Sequence, residues 1–111
     1  MKPKKIETMI YTEQLDGIKL DVQTVDLTID DDVQEHIREM IRKLGRFISE
    51  INFVDVHFKE ESSQTNDNRS VSVRVGIPGN DAFASVSGTE WTTLLDQVEE
   101  KLKRQLTKRK K

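Results

Sequence analysis

The stretch 84-ASVSGTEWTTLLDQVEEKLKRQLTKRKK-111 changes its apolar period part-way along, and that change decides the class of fold. Ala82, Ala84 and Val86 alternate with polar neighbours, the mark of a strand with one buried face. Their small side chains leave room for a helix to pack closely. Gly88-Thr89 breaks the strand, and Thr89 is the expected N-cap. From Trp91 the apolar residues Leu94, Leu95, Val98, Leu102 and Leu106 recur at helical spacing almost to the end. A strand, a break and a long amphipathic helix in 30 residues predict a helix folded back on its own sheet.

The final eleven residues, Lys101 to Lys111, hold seven of the 18 Lys and Arg and no acid. The other hundred, with 11 cations against 20 acids, carry −9, while this end carries +7. The overall charge of −2 therefore conceals a strong asymmetry. Clustered cations favour polyanions, because neutralising adjacent phosphates releases condensed counterions. The apolar period persists through the cluster, so it reads as a folded basic surface.

Upstream, Pro78-Gly79-Asn80-Asp81 supplies the chemistry of a hairpin turn. It joins the Ala82 strand to one in which Val71, Val73, Val75 and Ile77 alternate with polar residues. Glu61 to Asn68 is a polar loop, expected to be mobile. Val54, Val56 and Phe58 form another strand. Before it, Val33, Ile37, Met40, Ile41, Leu44, Phe47 and Ile48 form one stripe on a helix of about five turns. Asp30 is the expected N-cap, and the Asp30-Asp31-Asp32 triplet suits the positive end of the helix dipole better than a metal site. Ile18, Leu20 and Val22 mark the first strand, which bends near Thr24, where the apolar phase shifts. Residues 1–17 are read as a flexible extension that can hold a short extra strand around Met9 to Thr12.

The order is β-α-β-β-β-α: an α+β fold with two helices on one face of a four-stranded sheet and the other face polar. With 111 residues and six aromatics there is material for one domain, assigned to residues 18–111. The absence of Cys excludes disulfides and thiolate chemistry. No apolar run is long enough to cross a membrane, and the interrupted N-terminus is not a secretory signal, so a cytoplasmic location is expected.

Lys101, Arg104, Lys108 and Lys111 fall within one quadrant of the second helix, beside its apolar stripe. Such a row can track a phosphate backbone. Complementing the helix dipole explains two or three of these cations but not seven without an acid. On the first helix Arg38, Arg42 and Arg46 recur every four residues. Glu35 and Glu39 share that surface, and Glu39 is spaced to pair with Lys43. Arg42, Lys43 and Arg46 lie beyond the last acid of that helix and are expected to be the freer cations. Helices lying side by side would merge the two basic ends into one patch. His36 reads as a core-edge residue, and His57 as a surface residue between Asp55 and Lys59. Two isolated histidines make neither a metal site nor a base–nucleophile pair. No Gly-rich phosphate loop, catalytic constellation or cofactor motif is present. Phe83 and Trp91 are the candidates for stacking on bases; Trp91, opening an apolar stripe, defaults to the core.

Three stretches together, IKLDVQTVDLTIDDDVQEHI (18–37), IRKLGRFISEI (41–51) and the quoted 84–111, resemble the ribosome hibernation-promoting factor and ribosome-associated inhibitor family, once labelled sigma-54 modulation proteins. The last carries the resemblance best, through Ala84-Ser85-x-x-Gly88, Leu95-Asp96 and KLKRQLTKRK. It covers about Ile18 to Lys111, and its β-α-β-β-β-α fold is similar to a double-stranded-RNA-binding domain. The resemblance implies a non-enzymatic, cofactor-free protein that binds small-subunit ribosomal RNA where messenger and transfer RNAs pass. Such occupation blocks translation and preserves idle ribosomes in stress or stationary phase. By position it places RNA contacts on Lys43, Lys101, Arg104, Lys108 and Lys110. Charge alone adds Arg42, Arg46, Lys103 and Arg109.

Residues 1–17 have no counterpart in the resemblance, and the long-form C-terminal dimerisation domain is expected to be absent. Two other readings fit the charge: a stand-alone binder of structured RNA, or an interaction module for an acidic protein.

Overall fold

A computed structural model describes residues 10–25, 27–61 and 68–109, with Arg109 through its backbone alone. Its elements are β1 (Ile10–Leu15), β2 (Ile18–Val25), α1 (Asp31–Phe47), β3 (Phe53–Glu60), β4 (Arg69–Gly76), β5 (Ala82–Gly88) and α2 (Trp91–Arg109). The strands lie in chain order in one sheet. β2 and β3 are parallel, and every other pairing is antiparallel.

The sheet has five strands rather than the expected four. The additional strand is β1, at residues assigned above to the extension. Asp16 (φ 52°) and Gly17 (φ 81°) form a two-residue turn of the kind that matches strand twist and favours Asp-Gly. Leu15 and Ile18 close the hairpin. Its alternation is hard to read because Glu13 takes an inward position between Tyr11 and Leu15, all three half-buried. Met9, the start of the anticipated short strand, and the centre of the 61–68 loop lie outside the described residues.

The other strands follow their patterns. Leu20, Val22, Val54, Val56, Phe58, Val71, Val73, Val75 and Ala82 turn to one face and are almost wholly buried. Thr24 is buried too, its hydroxyl donating to the Leu27 carbonyl where β2 ends. Asp30 caps α1, accepting from the Val33 N–H at 2.9 Å. Glu90, not Thr89, flanks α2, its carbonyl accepting from the Leu94 N–H at 3.0 Å. Gly88 lets the chain turn under the helix, since a Cβ there would come within 2.8 Å of Leu94.

Strand direction fixes how the helices lie. β2 and β5 run the same way, and each is followed by a helix that returns over the same face. The helices are therefore parallel and side by side, with both C-terminal ends at one end of the molecule. Contacts between them keep that order, His36 meeting Asp96 at 2.7 Å and Lys43 approaching Glu99 at 4.0 Å. The core lies between sheet and helices, filled by Val33, Ile37, Met40, Ile41 and Leu44 of α1 and by Trp91, Leu94, Leu95, Val98, Leu102 and Leu106 of α2. Trp91 meets the edge of Phe58 at 5.2 Å, which makes it a core residue.

Candidate nucleic-acid interface

Lys101, Arg104 and Lys108 project from the outer side of α2, because Leu102 and Leu106, on the opposite side, are fully buried. None has a carboxylate partner among the described residues. Lys101 Nζ instead donates to the Ser85 carbonyl of β5 at 3.4 Å. Beside it Gln105 takes both backbone groups of Phe83: the Phe83 N–H donates to Oε1 at 3.1 Å, and Nε2 donates to the Phe83 carbonyl. This clamp satisfies part of the outer edge of β5 and fixes the rotation of the basic segment. Arg109 continues the helix backbone; Lys110 and Lys111 lie outside the described residues.

The cations of α1 are placed differently. Arg38 donates from Nε to both oxygens of Glu13, at 3.2 and 3.1 Å, and from Nη1 to Glu35 at 3.1 Å. Arg42 donates to Glu39 at 2.8 Å and to Glu35 at 3.4 Å. The bonds to Glu13 push the Arg38 guanidinium up, and those to Glu35 do the same for Arg42. Both guanidiniums hold the Glu35 carboxyl below its ordinary range. Glu39 thus pairs with Arg42 and not with Lys43. Of the three cations expected to be freer, only Arg46 is without a carboxylate partner among the described residues.

Lys43 turns to the second helix. Its partner is Glu99, 8 % exposed, which also receives Lys103 at 2.9 Å. Sequence reasoning missed Glu99, although the spacing Leu95, Glu99, Leu102 puts it on the buried stripe. Four cations are therefore without a carboxylate partner among the described residues: Arg46, beside Asp16 and Ile18 on the β1 side of α1, and Lys101, Arg104 and Lys108 on the β5 side of α2. Lys43 and Lys103 lie between the helices, bound through one carboxylate. A groove at the shared C-terminal end of the helices is lined by Phe47, Glu100, Lys103, Arg104, Thr107 and Lys108, so one carboxylate stands among its cations.

The α2 row suits phosphate recognition by two point charges, Lys101 and Lys108, and one guanidinium fork, Arg104. Among the described residues no three His, Asp or Glu side chains come together to hold a metal ion. No described helix is long and apolar enough to cross a membrane.

The family model for the sigma 54 modulation protein / S30EA ribosomal protein matches residues 20–111. The chain belongs to this family. Its members form a class of ribosome-associated factors and not of enzymes. The ribosome-associated factor Y of Haemophilus influenzae is 28 % identical over 89 residues, which span 80 % of this chain and 79 % of that protein. The N-terminal domain of Thermus thermophilus Protein Y superposes with a TM-score of 0.67 at 12 % identity, over 88 % of this chain and all of that one. A ribosomal subunit interface protein from Coxiella burnetii gives 0.65 at 22 % identity, over 84 % and 96 %. These two likenesses establish a shared fold. The family match begins inside β2, so β1 is an addition to the matched region.

Proposed function

We propose that this protein is a translation inhibitor that docks on small-subunit ribosomal RNA in the path of messenger and transfer RNA. It preserves idle ribosomes under stress or in stationary phase. The observation that carries this reading is the row Lys101, Arg104 and Lys108 on the outer side of α2, with no carboxylate partner among the described residues. Family membership and the ribosome association named for the Haemophilus relative support it. Residues 18–111 form the binding unit, with β1 an added edge, and the protein works in the cytoplasm, where ribosomes are.

Inhibition follows from occupancy, with no bond made or broken and no cofactor. Lys101, Arg104, Lys108 and Arg46 meet phosphates directly. Lys43 and Lys103 join them by turning from Glu99, and Arg109 and Lys110 are further contacts by their place in the sequence. Arg42 takes part least, since Glu35 and Glu39 hold it. The acidic remainder of the chain repels RNA elsewhere and so orients the encounter.

Co-sedimentation with purified small subunits, at low and moderate salt, tests the reading. The expected result is saturable binding near one copy per subunit, weakened by salt. Absence of binding at both salt concentrations overturns it, in favour of another structured RNA or an acidic protein.

A further inference from the structure

The open face of the sheet, turned away from the helices, carries a cleft that phosphate binding does not use. Strand register sets Thr12, Asp21, Asp55, Arg74 and Phe83 side by side across all five strands. At the β5 end of this row Asp55, His57, Ser72, Arg74 and Phe83 line a shallow cleft of about 370 Å³. Phe83 is 45 % exposed, one of three exposed large apolar side chains, with Ile10 and Val25, that the register turns to this face. The Arg74 guanidinium carbon lies 5.2 Å from the centre of its ring. Ring and guanidinium offer planar surfaces of the kind on which unpaired bases stack.

The polar groups select which part of a nucleotide enters. Asp55 stands beside Asp21 in the register, and two neighbouring carboxylates repel a phosphate. A carboxylate accepts from the amino and imino N–H groups of a base edge. Burial, then Asp21, pushes the Asp55 carboxyl up, consistent with a desolvated acceptor. Ser72, hydrogen-bonded to Ser85 at 3.0 Å, adds a hydroxyl. The cleft also adjoins the cations: the backbone of Phe83 is the group that Gln105 holds from the basic helix, and Ser85 is the residue that Lys101 reaches. One strand edge separates the two surfaces, so a single nucleotide chain can touch both.

We infer that the Asp55–Arg74–Phe83 cleft is a binding site for one unpaired, amino-bearing nucleobase of the bound RNA. The inference rests on the ribosomal-RNA reading above and adds base recognition to it. Phe83 and Arg74 stack on the base, Asp55 accepts from its amino edge, and the cations of α2 hold the neighbouring phosphates.

Nucleosides separate the two surfaces, because they carry a base and no phosphate. Titration of the labelled full chain with adenosine, guanosine, cytidine or uridine is followed by amide chemical shifts. Saturable shifts at Asp55, Ser72, Arg74 and Phe83 are expected with the first three and weaker ones with uridine, which lacks the exocyclic amino group. In parallel, Phe83→Ala is expected to lose about five- to a hundredfold in affinity for small subunits, and Phe83→Tyr to retain it. Phe83 is exposed, so both variants should fold, as circular dichroism would check. If the wild type binds subunits and Phe83→Ala binds equally well, the base site is wrong and the docking reading stands. Weakened subunit binding with no nucleoside shifts would assign the cleft to a ribosomal protein and also overturn it. Failure of the wild type to bind subunits condemns the docking reading instead, while the nucleoside arm still decides the cleft.

Discussion

Lys103 Nζ lies 2.9 Å from one oxygen of Glu99, and Lys43, on the other helix, lies 4.0 Å from its second oxygen. One buried acid thus holds two candidate phosphate contacts and joins the helices that present them. Glu99→Gln removes the charge and keeps the shape. The variant should bind small subunits several-fold more tightly at low salt. Its log–log salt slope should steepen by about 0.7–0.9 for each lysine released to a phosphate. Thermal stability should fall by about 1 kcal/mol or less, because the lysines are half-exposed. A slope identical to wild type would show that neither lysine reaches RNA.

The unopposed cations of α2 make a second, stronger expectation. Reversing Lys101, Arg104 and Lys108 together to Glu places three acids where phosphates should lie, and ribosome binding should vanish. Circular dichroism should remain that of the wild type, because the buried stripe is untouched. A folded triple mutant that still sediments with subunits would remove this helix from the mechanism.

Gln105 fixes the orientation of that row by closing on both backbone groups of Phe83. Gln105→Ala should cost about 1 kcal/mol, the net worth of ordinary hydrogen bonds partly replaced by water. Hydrogen exchange is the sharper readout: the Phe83 amide should lose protection while Val73 and Val75 keep theirs. Gln105→Glu should instead leave the Phe83 amide protected, since a carboxylate still accepts from that N–H and loses only the bond to the Phe83 carbonyl. Unchanged exchange at Phe83 in Gln105→Ala would mean that the clamp does not persist in solution.

Asp55 yields a pH dependence with a defined sign. Its folded-state pKa is raised, so the native protein holds this proton more tightly than the unfolded chain does. The site costs no stability below the ordinary Asp value. It costs progressively more as pH rises from there through the raised value. Asp55→Asn should therefore raise the melting temperature at neutral pH, with the gain shrinking to nothing under acid conditions. A gain that does not vary with pH would assign the effect to packing.

Much of the architecture is legible in the chain. β2 through α2 announce themselves by strict alternation or helical spacing, because each element buries one continuous apolar face. β1 escapes because Glu13 takes an inward position to bind Arg38, so its alternation fails at the residue that attaches it to α1. Asp16-Gly17, a hairpin signal in its own right, marks the turn that alternation obscures. The row Lys101, Arg104, Lys108 follows from 100° per residue alone. Which cations are free does not, because the acids that hold Arg38 and Lys43 come from other elements. Glu13 lies 25 residues from Arg38, and Glu99 belongs to the second helix. Such neutralisation is decided by topology, to which charge counting along one helix is blind.

The two margins of the sheet are unequal in a way that bears on self-assembly. Along β5, Gln105 and Lys101 already occupy backbone groups that another strand would need, whereas among the described residues no element pairs with the outer side of β1. Growth by strand addition therefore has one point of entry. Two copies joined β1 to β1 would present to a third only β5 margins on which Phe83 and Ser85 are already held. Such a seam would favour a pair over a growing fibril.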